Sequence, residues 1–210
     1  MEVSEKKGFK GVYALAIGYV ISIYLSPIIY YLLAEYGEDD SALALCAIAL
    51  PFIYGIVNYI YVFKNKTKID RMVLLNCAII IKYTMIPIYI LGGFLIAICL
   101  LLMFSPIVIM IFAGPMVAII LSVIGWIYMI GGAAYSFSYI SESKKQGAQY
   151  AKILSILGFI AQFFFTFDVI SIMFFSLKEK RCVKLTIGTL AILILGFISI
   201  IGWIIVKIIT

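Results

Sequence analysis

Two ionisable residues, Lys82 and Asp168, lie inside long apolar stretches of this 210-residue chain, whereas the other charged residues cluster near the ends of such stretches. Lys82 follows Met72 by ten residues and Asp168 precedes Leu177 by nine, so helices would carry them about 15 Å and about 14 Å from the same side of a bilayer. A charge at that depth costs several kcal/mol unless it is paired or hydrated. The matching depths make a direct Lys82–Asp168 ion pair geometrically possible.

Such a pair has two interpretations, which the sequence leaves open. In the functional one it is an intramembrane ion or proton site. In the structural one it fixes the register of two helices, or Lys82 extends towards the interface while Asp168 caps a broken helix. Asn76 and Gln162 are the polar neighbours that we add to the candidate site, although such residues also serve as ordinary hydrogen-bonding contacts between helices.

A second pattern is a stripe of small residues in the first apolar stretch. Its members recur every four residues and are Ala14, Gly18, Ser22 and Ser26. Small residues let two helices approach closely, so the stripe predicts a helix-contact face. The face serves packing within the chain or contact with another membrane protein.

Catalytic and cofactor signatures are missing. The chain has no His, which excludes Ser-His and Cys-His chemistry and metal hydrolysis by His ligands. The four cysteines form no Cys-x-x-Cys pair, so neither a zinc site nor a disulfide framework is indicated. Asp168 has no second intramembrane carboxylate with which to form a dyad. We therefore expect a non-enzymatic protein with no catalytic residues, no metal and no cofactor.

The composition indicates whether these residues lie in a soluble domain or in a lipid bilayer. Hydrophobic residues make up 65% of the chain and charged residues 12%, with a mean hydropathy of +1.19. A soluble domain of this size needs a more polar exterior, so we predict a single integral membrane domain over residues 1–210, with the lipid bilayer as its first partner. The net charge of +6 lies in short clusters beside apolar stretches, which indicates membrane orientation rather than nucleic-acid binding.

A helix of about 20 apolar residues crosses the hydrocarbon core, and this length divides the chain into about seven predicted spans. No alternating strand pattern appears, so the predicted fold is an all-α polytopic transmembrane helical bundle. The predicted spans are Gly11–Ala34, Ser41–Phe63, Met72–Leu91, Phe94–Phe112, Met116–Ile140, Ile153–Leu177 and Leu185–Val206.

Lysines and arginines of the short loops set the expected orientation. Those at residues 6–10 and 64–71 predict a multi-pass protein of the cytoplasmic membrane with its N-terminus in the cytoplasm. Seven crossings would then leave Lys144, Lys145 and Lys152 outside, against the same rule. The alternative is five full spans plus two re-entrant segments, at residues 94–112 and 153–177, which would place all the basic clusters inside.

Several short motifs resemble those of a known group of proteins. The motifs are Ile81–Pro87, Gly92-Gly93, Phe112–Pro115 and Phe167–Ser171. Over residues 72–180 they are similar to uncharacterised small polytopic membrane proteins of low-GC Gram-positive bacteria. The resemblance implies a membrane location more than a mechanism, and Lys82 and Asp168 both lie within the matching motifs.

Two functions of different classes follow as expectations. The first is a protein that acts through helix–helix contacts with another membrane component, as an accessory subunit or a bacteriocin- or toxin-immunity factor, in a hetero-complex or a homo-oligomer. The alternative is a small transporter or channel in which Lys82 and Asp168 form an intramembrane site, next to helices broken by Pro and Gly.

Overall fold

A computed structural model of the chain describes the backbone of residues 2–36, 41–66, 68–145 and 149–209, and the side chains of most of residues 10–35, 46–143 and 153–198. Every regular element in these ranges is helical, as the all-α prediction requires. The elements are α1 (Glu2–Tyr36), α2 (Ser41–Lys64), α3 (Arg71–Leu101), a 3₁₀ turn (Leu102–Phe104), α4 (Val108–Gly131), α5 (Ala134–Lys145), α6 (Gln149–Ala161), α7 (Phe167–Lys178) and α8 (Val183–Ile209).

The first four helices are long and apolar enough to cross a membrane. The qualifying segments are Lys10–Leu33, Cys46–Lys64, Arg71–Phe104 and Val108–Gly131. Because a crossing needs about 20 residues, α6 with 13 residues and α7 with 12 are each too short to cross alone. The class of a membrane-spanning helical protein is therefore supported, but a bundle of seven spans is not confirmed.

The predicted boundary between the third and fourth spans was wrong. Gly92 and Gly93, placed between those spans, lie inside the continuous helix α3. Glycine costs a helix only about 1 kcal/mol relative to alanine, whereas a break in an apolar medium leaves backbone groups unpaired. The chain turns instead at Ser105-Pro106, which the prediction had placed inside a span.

Two further predicted spans are interrupted. The segment 116–140 divides at Gly132-Ala133 into the end of α4 and most of α5. The segment 153–177 divides at residues 162–166 into α6 and α7, and Thr166 adopts a positive φ of 70° there. A β-branched residue is strained in that conformation, so the interruption is imposed by its tertiary surroundings rather than by local preference.

The chain forms two compact units, Met1–Ile172 and Met173–Thr210. In the first unit α1 packs against α2 and α3, while α3 also packs against α4 and α5. In the second unit, Ser176 and Thr186 form a buried hydroxyl–hydroxyl hydrogen bond of 2.8 Å.

One end of the first unit gathers the charged loops. Lys66 Nζ donates a hydrogen bond of 2.6 Å to Ser141 Oγ and lies 3.8 Å from the Glu142 carboxylate. Arg71 lies over the ring of Tyr139, 6.0 Å from its centroid. We call this end, formed by the loop at residues 64–71 and the last turns of α5, the basic end.

The contacts at the basic end do not fit three full crossings between Arg71 and Ser141. Three full crossings between Arg71 and Ser141 would put these residues on opposite sides of a membrane. Because Lys66 contacts both Ser141 and Glu142, the chain leaves the basic end through α3 and returns to it through α4 and α5. Seven spans would leave Lys144 and Lys145 outside because they divide residues 72–140 into three crossings. The structure instead forms α3 and α4 over most of this segment.

Candidate functional site

Lys82 and Asp168 form a buried ion pair in the first unit. Lys82 Nζ lies 2.7 Å from Asp168 Oδ2, and both side chains have an exposed fraction of 0%. The hydroxyl of Tyr89 donates a hydrogen bond of 2.8 Å to the same carboxylate oxygen. The second oxygen, Oδ1, accepts the backbone N–H of Val169 at 2.8 Å. The carboxylate thus has three donors, which offset the cost of removing it from water.

The C-terminus of α4 supplies further partners for Lys82. Its ammonium group donates to the carbonyl oxygen of Met129 at 3.3 Å. Carbonyls in the last turn of a helix lack intrahelical partners and carry the negative end of the helix dipole. A cation is therefore stabilised at this position. The flanking carbonyls accept hydroxyl groups from the bundle, with Tyr19 bonding Tyr128 at 2.5 Å and Tyr59 bonding Ile130 at 2.9 Å.

The N-terminus of α7 has the complementary effect on Asp168. Asp168 lies in the first turn of this helix, where the positive end of the dipole stabilises an anion. Gln162, in the interruption before α7, donates hydrogen bonds to Ser171 Oγ at 2.7 Å and to the carbonyl oxygen of Asp168 at 3.4 Å. The interruption between α6 and α7 is therefore what brings a helix N-terminus to the ion pair.

Close packing encloses the pair. A Cβ at Gly132 would meet side-chain carbons of Ile81 and Tyr19, and Ile81 and Met85 are themselves buried. Glycine suits this junction because side chains of α3 and α1 leave little room for a Cβ. The ion pair consequently lies in a tight apolar enclosure, where electrostatic interactions are stronger than in water.

The helix α5 brings further polar groups into the interior. Ser136 and Ser138 are fully buried, and their hydroxyls have no hydrogen-bond partner among the described residues. The Asn58 side chain accepts a hydrogen bond of 3.0 Å from Tyr135, but its Nδ2 donor is unpaired. Buried polar atoms without partners are places where ordered water is expected. Along α5, the two serines lie on the basic-end side of the Gly132 junction, whereas Asn58 lies on α2.

The candidate site residues are brought together only in part. Lys82 and Asp168 meet, and Gln162 joins them through the main chain of Asp168, with its Oε1 left unpaired. Asn76 lies elsewhere, where its Nδ2 donates to the Tyr13 hydroxyl at 3.0 Å. Asn76 therefore connects α3 to α1 rather than extending the ion-pair network.

The stripe of small residues on α1 lies partly against α2. A Cβ at Gly18 would be 3.0 Å from the Tyr54 ring, and Ser22 and Ser26 are buried. Ala14 is exposed. Most of the stripe is therefore occupied by contacts inside the first unit.

Sequence reasoning missed Tyr89 and the carbonyls of α4. Tyr89 follows Lys82 by seven residues, a spacing that places two side chains on the same face of a helix. That spacing was the available signal. The role of the Met129 carbonyl had no such signal, because it depends on where α4 ends.

Chemically, the site joins an ammonium group, a carboxylate and a phenol at one point. Such a set can hold or pass a proton, and loss of either charge removes the attraction that closes the pair.

Comparison with known proteins identifies a family without identifying an activity. Residues 9–181 match the family of unknown function DUF6652, so the match includes Lys82, Asp168 and residues 72–180. No curated protein and no solved structure shows significant similarity to the chain.

Proposed function

We propose that this chain, which belongs to the DUF6652 family of unknown function, is a small membrane transporter or channel that moves protons or small ions through the Lys82–Asp168 site. The observation that carries the proposal is the fully buried 2.7 Å ion pair between Lys82 of α3 and Asp168 in the first turn of α7. Ionisable residues within apolar membrane helices are costly, and they often mark pathways for ions and protons.

The arrangement of helix ends supports this proposal. Binding sites of many secondary transporters are formed by discontinuous helices, whose N-termini face anions and whose C-termini face cations. Here Asp168 lies at the N-terminus of α7, and Lys82 contacts the C-terminus of α4. In a purely apolar bundle, two helix interruptions at the same place would not be stabilising, because there would be no charge for the helix ends to face.

Buried polar groups without hydrogen-bond partners also support transport. Between Gly132 and the basic end, α5 carries Ser136 and Ser138, whose buried hydroxyls are unpaired. Together with the unpaired Nδ2 of Asn58, they could bind water that connects the basic end to Lys82. Water in this region would give protons or ions access to the ion pair.

The pair itself can act as the switch. Protonation of Asp168 would remove the charge that holds Lys82, leaving the ammonium group with the Met129 carbonyl alone. A closed, paired state and an open, hydrated state are the two conformations that alternating access needs.

The proposed location is the cytoplasmic membrane of a low-GC Gram-positive bacterium, with several crossings and the N-terminus inside. Four helices long enough to cross support a multi-pass arrangement. Lysines and arginines are enriched on the cytoplasmic side, so the basic end would lie there.

Flux through reconstituted vesicles tests the proposal. Asp168→Asn should lower proton or cation flux at least about tenfold, because an amide neither carries the charge nor exchanges a proton as a carboxylate does. Asp70→Asn is the matched control, since Asp70 is exposed at the start of α3 and makes no side-chain capping bond. Equal flux in both variants, or no flux in the natural protein over a panel of monovalent ions and protons, would rule the proposal out.

A second candidate is an accessory or immunity-type protein that binds another membrane protein or a second copy through its helices. The observation that favours it is the pair Gly92 and Gly93 on α3, where a Cβ would meet nothing within 4 Å. Open glycines let another helix approach closely. Gly93→Leu should then abolish co-purification of the partner in mild detergent, whereas Gly132, inside the bundle, offers no such surface.

A further inference from the structure

The turn between α3 and α4 forms the end of the first unit opposite the basic end. We call its residues, Leu101–Phe112, the apolar tip. No Asp, Glu, Lys or Arg occurs between Lys82 and Glu142, so the tip, the part of α3 that follows Lys82 and all of α4 are uncharged. This composition would be unfavourable for a loop in water, because apolar surface left in water costs about 25 cal/mol per Å² of accessible area.

The side chains of the apolar tip are among the most exposed in the chain. The exposed fractions are 84% for Phe104, 74% for Ile109 and 74% for Phe112. At the base of the tip α3 and α4 are in close contact, since a Cβ at Gly114 would collide with the Cys99 carbonyl and with Leu102. The rest of its apolar surface needs a cover from outside the first unit.

The tip also extends beyond the end of α1. The Tyr24 hydroxyl donates to the Thr84 carbonyl at 2.5 Å, which aligns α1 with α3. Twelve residues after Tyr24, α1 ends at Tyr36, and twelve residues after Thr84 is Ile96. Phe104 lies eight residues further, or about 12 Å if the chain keeps a helical rise. The tip is therefore not shielded by α1.

The backbone of the turn is prepared for an apolar medium. Pro106 has no N–H group, and the Ser105 N–H donates to the Leu102 carbonyl at 3.1 Å. The Ile107 N–H donates to Ser105 Oγ at 3.3 Å, and the Met110 N–H donates to the Ile107 carbonyl at 2.9 Å. Irregular backbone in hydrocarbon must satisfy its donors internally, and this turn does so for these three groups.

We propose that the apolar tip lies among the acyl chains of the leaflet far from the basic end, so that lipid covers it rather than water or another protein. From Phe104 to Lys82 is about 33 Å along the helix, close to the roughly 30 Å thickness of the hydrocarbon core. An embedded tip therefore places the Lys82–Asp168 pair near the hydrocarbon boundary on the basic side.

This placement agrees with the distribution of polar groups. The polar helix α5 and the Lys66–Glu142 contact then lie at the headgroup level, where water tolerates them. Lys82 then lies closer to the basic-side boundary of the hydrocarbon core than the about 15 Å predicted for a span from Met72 to Leu91. The reason is that α3 continues to Leu101, well beyond the predicted end of that span.

Tryptophan quenching in vesicles tests the position of the tip. Phe104→Trp is prepared with Trp126 and Trp203 replaced by Phe, and Ile69→Trp at the basic end is the control. Lipids brominated deep in their acyl chains should quench the tip variant strongly and the control weakly. The water-soluble quencher acrylamide should give the reverse order.

Two results would overturn the proposal. Acrylamide quenching of the tip variant as strong as that of the control would place the tip in water. Protection of the tip from both quenchers, together with its cross-linking to a second copy, would make protein its cover.

Thiol labelling gives an independent measurement in a background without the four native cysteines. Ser105→Cys should react with an impermeant maleimide at least about tenfold more slowly than Glu35→Cys, because an apolar medium disfavours the reactive thiolate. Glu35 is the control because it is exposed near the end of α1. Equal labelling rates in intact vesicles would contradict an embedded tip, whether or not the site transports ions.

Discussion

The two halves of α3 are both rich in aliphatic residues, yet their surroundings are opposite. The half from Arg71 to Met85 has nine buried residues, Lys82 among them, whereas the half from residue 86 to Leu101 has none. The buried half also contains the charged and amide residues of the helix, and the exposed half contains no charge. Charged and amide side chains thus occur in the half that protein surrounds, and Tyr89, near the start of the exposed half, reaches back to bond Asp168.

This difference indicates how one apolar helix serves two purposes. The buried half positions an ion pair by means of the helix ends around it. The exposed half and the start of α4 provide an uncharged length that suits a bilayer. Substitutions in the two halves should therefore have different effects, and the following predictions use that contrast.

The largest effect should come from leaving one charge unpaired in the buried half. Asp168→Leu would strand the Lys82 ammonium group, at a cost of about 3–5 kcal/mol in the free energy of unfolding. Thermal unfolding in detergent micelles measures the loss. In the exposed half, Leu91→Met should change stability by no more than about 0.5 kcal/mol. Similar unfolding temperatures for both variants would contradict the contrast.

Removal of the phenol that supports the pair should have the next largest effect. Tyr89→Phe deletes the 2.8 Å hydrogen bond to Asp168 and should lower the free energy of unfolding by about 1.5–3 kcal/mol, the range for bonds to charged groups. Tyr31→Phe is the matched control, because Tyr31 is 62% exposed. A loss of equal size in the control would mean that the Tyr89 bond contributes nothing specific.

Two glycine-to-alanine substitutions should change the free energy of unfolding in opposite directions. One is at the junction that packs on the buried half of α3, and the other is in the exposed half. Gly132→Ala would press a Cβ against Ile81 and Tyr19, and overpacking of this kind costs about 1–3 kcal/mol. Gly93→Ala meets only open space on the exposed half and should stabilise the helix by about 0.5–1 kcal/mol. Unfolding temperatures measured in the same detergent compare them, and a stabilising Gly132→Ala would contradict the packing described at this junction.

The sequence predicted those parts of the fold that charged residues delimit. The limits of α2 and of the apolar part of α1 follow from the lysine clusters and acidic residues beside them, although α1 itself begins earlier, at Glu2. Lys82 and Asp168 stood out because an isolated charge in an apolar stretch needs a partner. Their contact was predictable as a possibility because their depths matched. This prediction depends only on the free-energy cost of placing a charge in an apolar medium.

The interruptions inside uncharged stretches could not be predicted in the same way. Gly92 and Gly93 are local helix breakers that the helix tolerates, while the interruption at residues 162–166 contains no proline or glycine. It exists because the Asp168 carboxylate and Gln162 bond groups that only the folded chain brings near. Helix ends that are set by tertiary contacts are therefore hard to recognise from the amino-acid composition of the segment.

The central claim is that the buried pair carries flux rather than only stability, and one double variant separates these roles. Lys82→Met combined with Asp168→Leu replaces both charges by apolar side chains, which generally preserves a fold better than removing one partner. Proton flux should be measured in vesicles that contain this variant or the natural protein, after equal unfolding temperatures have been established. We predict a folded protein without flux; flux equal to that of the natural protein would contradict the claim.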